Sequence, residues 1–124
     1  MKTPTIKTIN GFLHKLKDFR GKFPDKEIFF RGQSKRYERI EPSIYRIEDW
    51  ITNEEDIFRE FILRNPEDFK EEKTTFEKLV KMQHYSLPTR LLDITANPLV
   101  ALFFCVEKRH EEDGDFIVFA IPSA

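Results

Sequence analysis

Cysteine is almost absent from this 124-residue chain, and so are methionine and tryptophan; each shortage removes a class of protein. The single Cys105 sits in an apolar run with no second cysteine to bond, which excludes a disulfide framework and makes a reducing cytoplasm the simplest setting. The opening MKTPTIKTING lacks the apolar stretch of a signal peptide, and no segment approaches the ~20 apolar residues that cross a bilayer. The expectation is therefore a soluble, unexported, cytoplasmic protein with no membrane partner. Metal chemistry is also poorly provided for. His14, His84 and His110 are scattered, with no i, i+3 or i, i+4 ligand pair and no C-x-x-C, so no metal site is expected. Repeats, low-complexity tracts and linkers are missing too, which leaves one domain over 1–124.

What the chain does have is rings: 13 of its residues are phenylalanine, enough to build a core on aromatic burial and to argue against disorder. Its net charge of −1 conceals an asymmetry. Residues 1–47 carry 12 Lys/Arg against 5 Asp/Glu (+7), while 48–124 carry 9 against 17 (−8). The isoelectric point of 6.3 is far from that of a typical nucleic-acid binder, so a dipolar solvated surface is favoured over a nucleic-acid site.

Periodicity places a first helix over TIKTINGFLHKLKDFRG, with Ile6, Ile9, Phe12, Leu13, Leu16 and Phe19 as its apolar positions and Gly21 as its stop. Glu27 to Arg31 reads as a strand ended by Gly32, because it is short and rich in aromatic and β-branched residues. The segment QSKRYERIEPSIYRIEDW has no helical period and contains Pro42, so it reads as a loop with short extended pieces. TNEEDIFREFILRN is a helix with Thr52 or Asn53 as N-cap, acids in its first turn and Ile57, Phe58, Phe61 and Ile62 as its buried stripe. A third helix, over FEKLVKMQHY, places Phe76, Leu79, Val80 and Gln83 on one side and ends near Tyr85.

Asn97 followed by Pro98 is an N-cap followed by a first-turn proline, which makes the apolar run a buried helix over roughly 98–110. DFIVFAI then reads as a strand covered on both faces. So apolar a strand needs neighbours. Pairing comes either from the loop after Gly32 or from strands beyond a truncated chain, and the second is favoured. The fold class is α+β: helices packed on a small mixed or antiparallel sheet, in an incomplete domain.

Three polar groupings stand out on this scaffold. In FFRGQS, Gly32 permits a close backbone approach, and Arg31 offers a planar fork suited to phosphate or carboxylate, or equally to a structural carboxylate of the protein itself. Gln33 follows directly. In QHYSLPTRLLD, Pro88 forces Leu87 to be extended, so Gln83, His84, Tyr85, Thr89, Arg90 and Asp93 crowd one loop. Arg90 with Asp93 reads as a local ion pair, and His84 as a hydrogen-bonded or capping histidine rather than a base. The third grouping is the start of the apolar helix, where free N–H groups favour an anion.

These residues resemble the FRG domain family, named for an F/Y-R-G motif. FFRGQS and EPSIYR, followed by MQHYSLPTRLLDITANPLVALFF, are similar to its two blocks, over a core of about 27–121. Ser86 stands where the family usually has glycine and Ile94 where it usually has tryptophan. The family carries no established activity to transfer, and it is found in prokaryotic and phage proteins. A more distant likeness is to arginine-type ADP-ribosyltransferases, whose aromatic-R-G strand is similar to FFRG and whose S-T-S segment is similar to Asp93-Ile94-Thr95. That likeness implies a nucleotide- or NAD-binding module in which Arg31 holds the pyrophosphate or ribose side and Thr95 orients the site. The glutamate of that pattern would fall beyond residue 121.

The expected ligand-binding set is Arg31, Gly32, Gln33, His84, Tyr85, Thr89, Arg90, Asp93 and Thr95, with a small nucleotide-like ligand and NAD as the cofactor to test. The alternative is a non-enzymatic module for protein or nucleic acid, in which both motifs form a structural polar network.

Overall fold

The structure is a computed structural model that describes residues 4–108 and 111–124. The chain divides into two compact units, Met1–Arg36 with Ile94–Ala124 and Tyr37–Asp93. The fold class is α+β, with five α-helices and one antiparallel strand pair among the described residues.

The first unit holds α1 (Ile9–Lys22), β1 (Lys26–Gln33), α5 (Pro98–Val106) and β2 (Asp115–Pro122). α1 begins where the Thr8 side chain accepts from the Gly11 N–H at 3.0 Å, and it ends on Arg20 and Lys22, cations suited to a helix C-terminus. It runs through Gly21, whose missing side chain meets nothing within 4 Å. Only part of the expected stripe faces inward. Phe12 is buried with Leu16 and Phe19 half-buried behind it, while Ile6, Ile9 and Leu13 are exposed. Phe12 meets Phe116 edge-on at 4.9 Å, and Phe116 lies 5.6 Å from Phe30, so three rings join α1 to both strands.

β1 and β2 pair antiparallel without interruption from Lys26↔Pro122 to Gln33↔Asp115. β1 therefore continues two residues beyond Arg31, and Gly32 is a paired position, not a stop. Among the described residues β2 has β1 as its one strand partner, and the loop after Gly32 forms no strand to pair with it. The other edge of β1 meets Thr95, with Phe30 N–H donating to the Thr95 carbonyl at 2.7 Å and Thr95 N–H donating back at 2.8 Å.

α5 starts as the sequence expects, on Pro98, with Asn97 Oδ1 accepting from Leu99 N–H at 2.9 Å and Val100 N–H at 3.4 Å. It ends at Val106 rather than near 110; Arg109 and His110 lie outside the described residues. It is not a buried helix. Ala101 and Cys105, one turn apart, press on the strands, while Leu99, Val100, Phe103, Phe104 and Val106 remain exposed. β2 likewise is half-buried along Asp115–Ala120 instead of covered on both faces.

The second unit is helical: a 3₁₀ turn at Ser43–Arg46, then α2 (Glu48–Thr52), α3 (Glu54–Arg64) and α4 (Thr75–His84). The segment read as loop with extended pieces thus contains two helical turns, the first stacked by Arg46 over the Tyr37 ring at 3.8 Å. Asn53 is the N-cap residue of α3, but its side-chain amide donates backwards to the Asp49 carbonyl, tying α2 to α3. The expected stripe of α3 is half-buried, and Phe61 meets Phe69 edge-on at 5.5 Å. α4 opens with a capping box between Thr74 and Glu77 and ends at His84. Met82 is its buried residue, and Phe76 is exposed. Lys81 bridges this unit's surface, reaching the Asp68 carbonyl and, at 3.2 Å, Glu72.

Candidate functional site

The residues expected to form a site fall into two sets, each within one unit. Arg31, Gly32, Gln33 and Thr95 belong to the strand-bearing unit, and His84, Tyr85, Thr89, Arg90 and Asp93 to the helical one.

In the first set, strand alternation puts Phe30 and Gly32 on one face of β1 and Arg31 with Gln33 on the other. Phe30 is completely buried. A Cβ added at Gly32 would stand 1.7 Å from the Ala101 carbonyl oxygen and 3.0 Å from the Cys105 backbone nitrogen, so glycine is what lets α5 lie against β1. Gly114 does the same at the other end of the contact, its added Cβ falling 2.4 Å from the Cys105 carbonyl oxygen. On the opposite face, Arg31 Nε donates to Gln33 Oε1 at 3.1 Å, and Gln33 is buried. Thr95 lies beside Phe30 through its backbone, and its hydroxyl accepts from Asn97 N–H at 3.1 Å. The N–H groups at the start of α5 are bound by the chain's own Asn97, not left open for an anion.

Cys105 is buried, and its Sγ donates to the Asp115 carbonyl at 3.1 Å. Burial pushes this thiol above its usual pKa range, a Gln33 backbone hydrogen bond opposes the shift, and the nearby Asp115 charge adds to it. Asp115 also accepts from Arg36 Nε at 3.2 Å, which closes the end of the strand pair.

The second set is built around Gln83. Its amide Nε2 donates to the Leu91 carbonyl at 3.3 Å and to Asp93 Oδ2 at 3.2 Å, and its Oε1 accepts from the Thr89 hydroxyl at 2.6 Å. Thr89 is only 2% exposed, and its Oγ1 in turn accepts from Leu91 N–H at 3.1 Å. The Thr89 carbonyl accepts from Ile44 N–H, so the loop is bonded to both α4 and the 3₁₀ turn.

Arg90 does not pair with Asp93. Its fork grips Glu54, Nε to Oε1 at 2.5 Å and Nη2 to Oε2 at 2.8 Å, because the extended loop carries residue 90 past its neighbour toward the first turn of α3. The Glu54 carboxyl is held below its ordinary range chiefly by these bonds, with partial burial opposing them and the Arg90 charge reinforcing them. His84 and Tyr85 are exposed at the end of α4, with the Tyr85 ring 6.1 Å from Phe61.

The turn out of α4 settles what Ser86 does. Its φ is 62°, its N–H donates to the Gln83 carbonyl at 3.0 Å, and Leu87 N–H donates to the Met82 carbonyl at 3.1 Å. That pair of bonds is a Schellman motif with serine at the left-handed position where glycine is usual.

Sequence reasoning did not find Glu54, which spacing alone cannot connect to Arg90, or Ala101, whose small side chain looks unremarkable inside an apolar run. Among the described residues there is no group of three or more His, Cys, Asp or Glu placed to hold a metal, and no helix is long and apolar enough to cross a membrane.

Comparison with curated proteins finds no match, and comparison with solved structures finds none either. The family model of the FRG domain matches residues 26–114, which takes in β1 with its Phe30-Arg31-Gly32 sequence, the Gln83–Asp93 network and the whole of α5. The chain belongs to the FRG domain family.

Proposed function

We propose that this FRG domain is a non-enzymatic protein-binding module whose two family blocks hold its scaffold together. The observation that carries this reading is the bonding of Thr89. Thr89 is 2% exposed, and a hydroxyl that both donates to Gln83 and accepts from Leu91 is spent on the loop's own conformation. The rest of the motif follows the same logic: Arg90 is engaged by Glu54, Asp93 by Gln83, Arg31 by Gln33, and Gly32 by the backbone of α5. The surface available to a partner is the outer side of α5, where Leu99, Val100, Phe103, Phe104 and Val106 form an uncharged apolar face of the kind that marks protein contacts.

A second reading keeps the likeness to ADP-ribosyltransferases, and the pairing of Thr95 with Phe30, next to Arg31, favours it. In that reading the Arg31 guanidinium receives the phosphates of NAD. Isothermal calorimetry with NAD separates the two. The binding-module reading expects no saturable heat from NAD and a lowered melting temperature in Thr89→Val. A saturable heat that disappears in a folded Arg31→Ala variant contradicts it.

A further inference from the structure

We infer that the outer edge of β2 pairs with β2 of a second copy of this chain, antiparallel about a two-fold axis centred on Val118. Phe30 sets the hydrogen-bonding parity of the strand pair. Its N–H and C=O are both taken by Thr95, so in the alternating pattern of an antiparallel ladder the β1 groups that bond β2 belong to Phe29, Arg31 and Gln33. Their partners are Phe119, Ile117 and Asp115. The N–H and C=O groups of Phe116, Val118 and Ala120 therefore point away from β1, and β2 has no other strand beside it among the described residues.

The edge carries few of the devices that keep exposed strands apart. From Phe116 to Ile121 there is no charged residue, the register with β1 is unbroken by a bulge, and the first proline is at the very end of the strand, Pro122. Phe116, Ile117, Val118, Phe119 and Ala120 are only half-buried.

The register follows from the outward groups. Placing Val118 opposite its own copy pairs Phe116 with Ala120 of the second chain and Ala120 with Phe116, and it makes about six new backbone hydrogen bonds from the three exchanging pairs. It also sets a large side chain against a small one on the face shared with Phe30, and Ile117 against Phe119 on the other. Shifting by two residues one way brings in Pro122, which has no N–H to give, and the other way runs past the start of β2 at Asp115 onto Gly114. Two copies so joined form a four-stranded sheet in the order β1-β2-β2-β1. The surface invoked is the strand edge, distinct from the outer face of α5.

Sedimentation equilibrium over a dilution series tests this, with Ala120→Pro as the variant. The Ala120 N–H points outward, so proline there removes a donor from the new interface and none from the β1 ladder. The expected result is a mass that doubles with rising concentration in the wild type and stays monomeric in Ala120→Pro. Hydrogen exchange of the wild type gives a readout independent of the variant's folding. Protection of the Phe116, Val118 and Ala120 amides should rise at least ten-fold with concentration, while that of Ile117 and Phe119 should change little. A wild type that stays monomeric with those outer amides unprotected overturns the inference. So does a dimer whose outer amides exchange freely, or one that folded Ala120→Pro leaves intact.

Discussion

Gly32 of β1 faces Ala101 of α5 so closely that a methyl group at position 32 would overlap the Ala101 carbonyl, at 1.7 Å. The obstructing atoms are backbone, which cannot rotate away as a side-chain tip would. Gly32→Ala is therefore expected to cost about 3 kcal/mol, at the upper end of overpacking effects. Gly21→Ala is the control: it sits in α1 with nothing within 4 Å, and it is expected to stabilise by about 0.5–1 kcal/mol. Chemical denaturation of both variants checks the contrast. Equal effects would show that space over Gly32 is not what the motif glycine provides.

Ser86 stands at φ 62° in the turn after α4. A side chain there costs roughly 1 kcal/mol relative to glycine. Ser86→Gly is expected to raise stability by up to about 0.5 kcal/mol, the local relief less the entropy that glycine adds to the unfolded chain. Thermal melting measures the gain, and a loss would mean that the serine hydroxyl supports the turn.

The Glu54–Arg90 pair gives stability a specific acid dependence. Because the folded-state pKa of Glu54 is depressed, its contribution is fully present above the unfolded-state pKa and is lost as pH falls through the folded-state value. Arg90 is 56% exposed, so the contribution is set at no more than about 1 kcal/mol. Denaturation of wild type and Glu54→Gln at a series of pH values should show a gap at neutral pH that closes in acid. A gap independent of pH would assign the effect to packing.

Cys105 is expected to react slowly with a thiol reagent in the folded protein and rapidly once unfolded, because the thiol is buried and burial raises its pKa. The ratio of the two rates is the readout. Equal rates would mean that the contact of Cys105 with Asp115 opens readily.

Much of this architecture was legible where the deciding chemistry is local. Asn97-Pro98 announces the start of α5 because cap and first turn are adjacent in sequence, and the acids Glu54, Glu55 and Asp56 announce α3 in the same way. The strand FFRG was recognisable, but its length was not. Glycine usually interrupts a strand, and here it continues one because a helix leans on it. The partner of Arg90 was illegible for a related reason. Asp93 is three positions away and Glu54 thirty-six, and only the path of the loop selects the distant one. Apolar composition also misled: the outer residues of α5 are as apolar as its inner ones, so sequence could not separate the face that packs from the face that does not.

The polar residues of the second family block bond to one another to hold the scaffold, and a double-mutant cycle on Thr89 and Gln83 measures that bonding. Stability is measured for wild type, Thr89→Val, Gln83→Leu and the double variant. The hydroxyl-to-amide bond at 2.6 Å predicts that the single losses fail to add, with a coupling of about 1 kcal/mol or more. Additive losses would mean that the two side chains do not support each other and would return Thr89 and Gln83 to the residues held in readiness for a ligand.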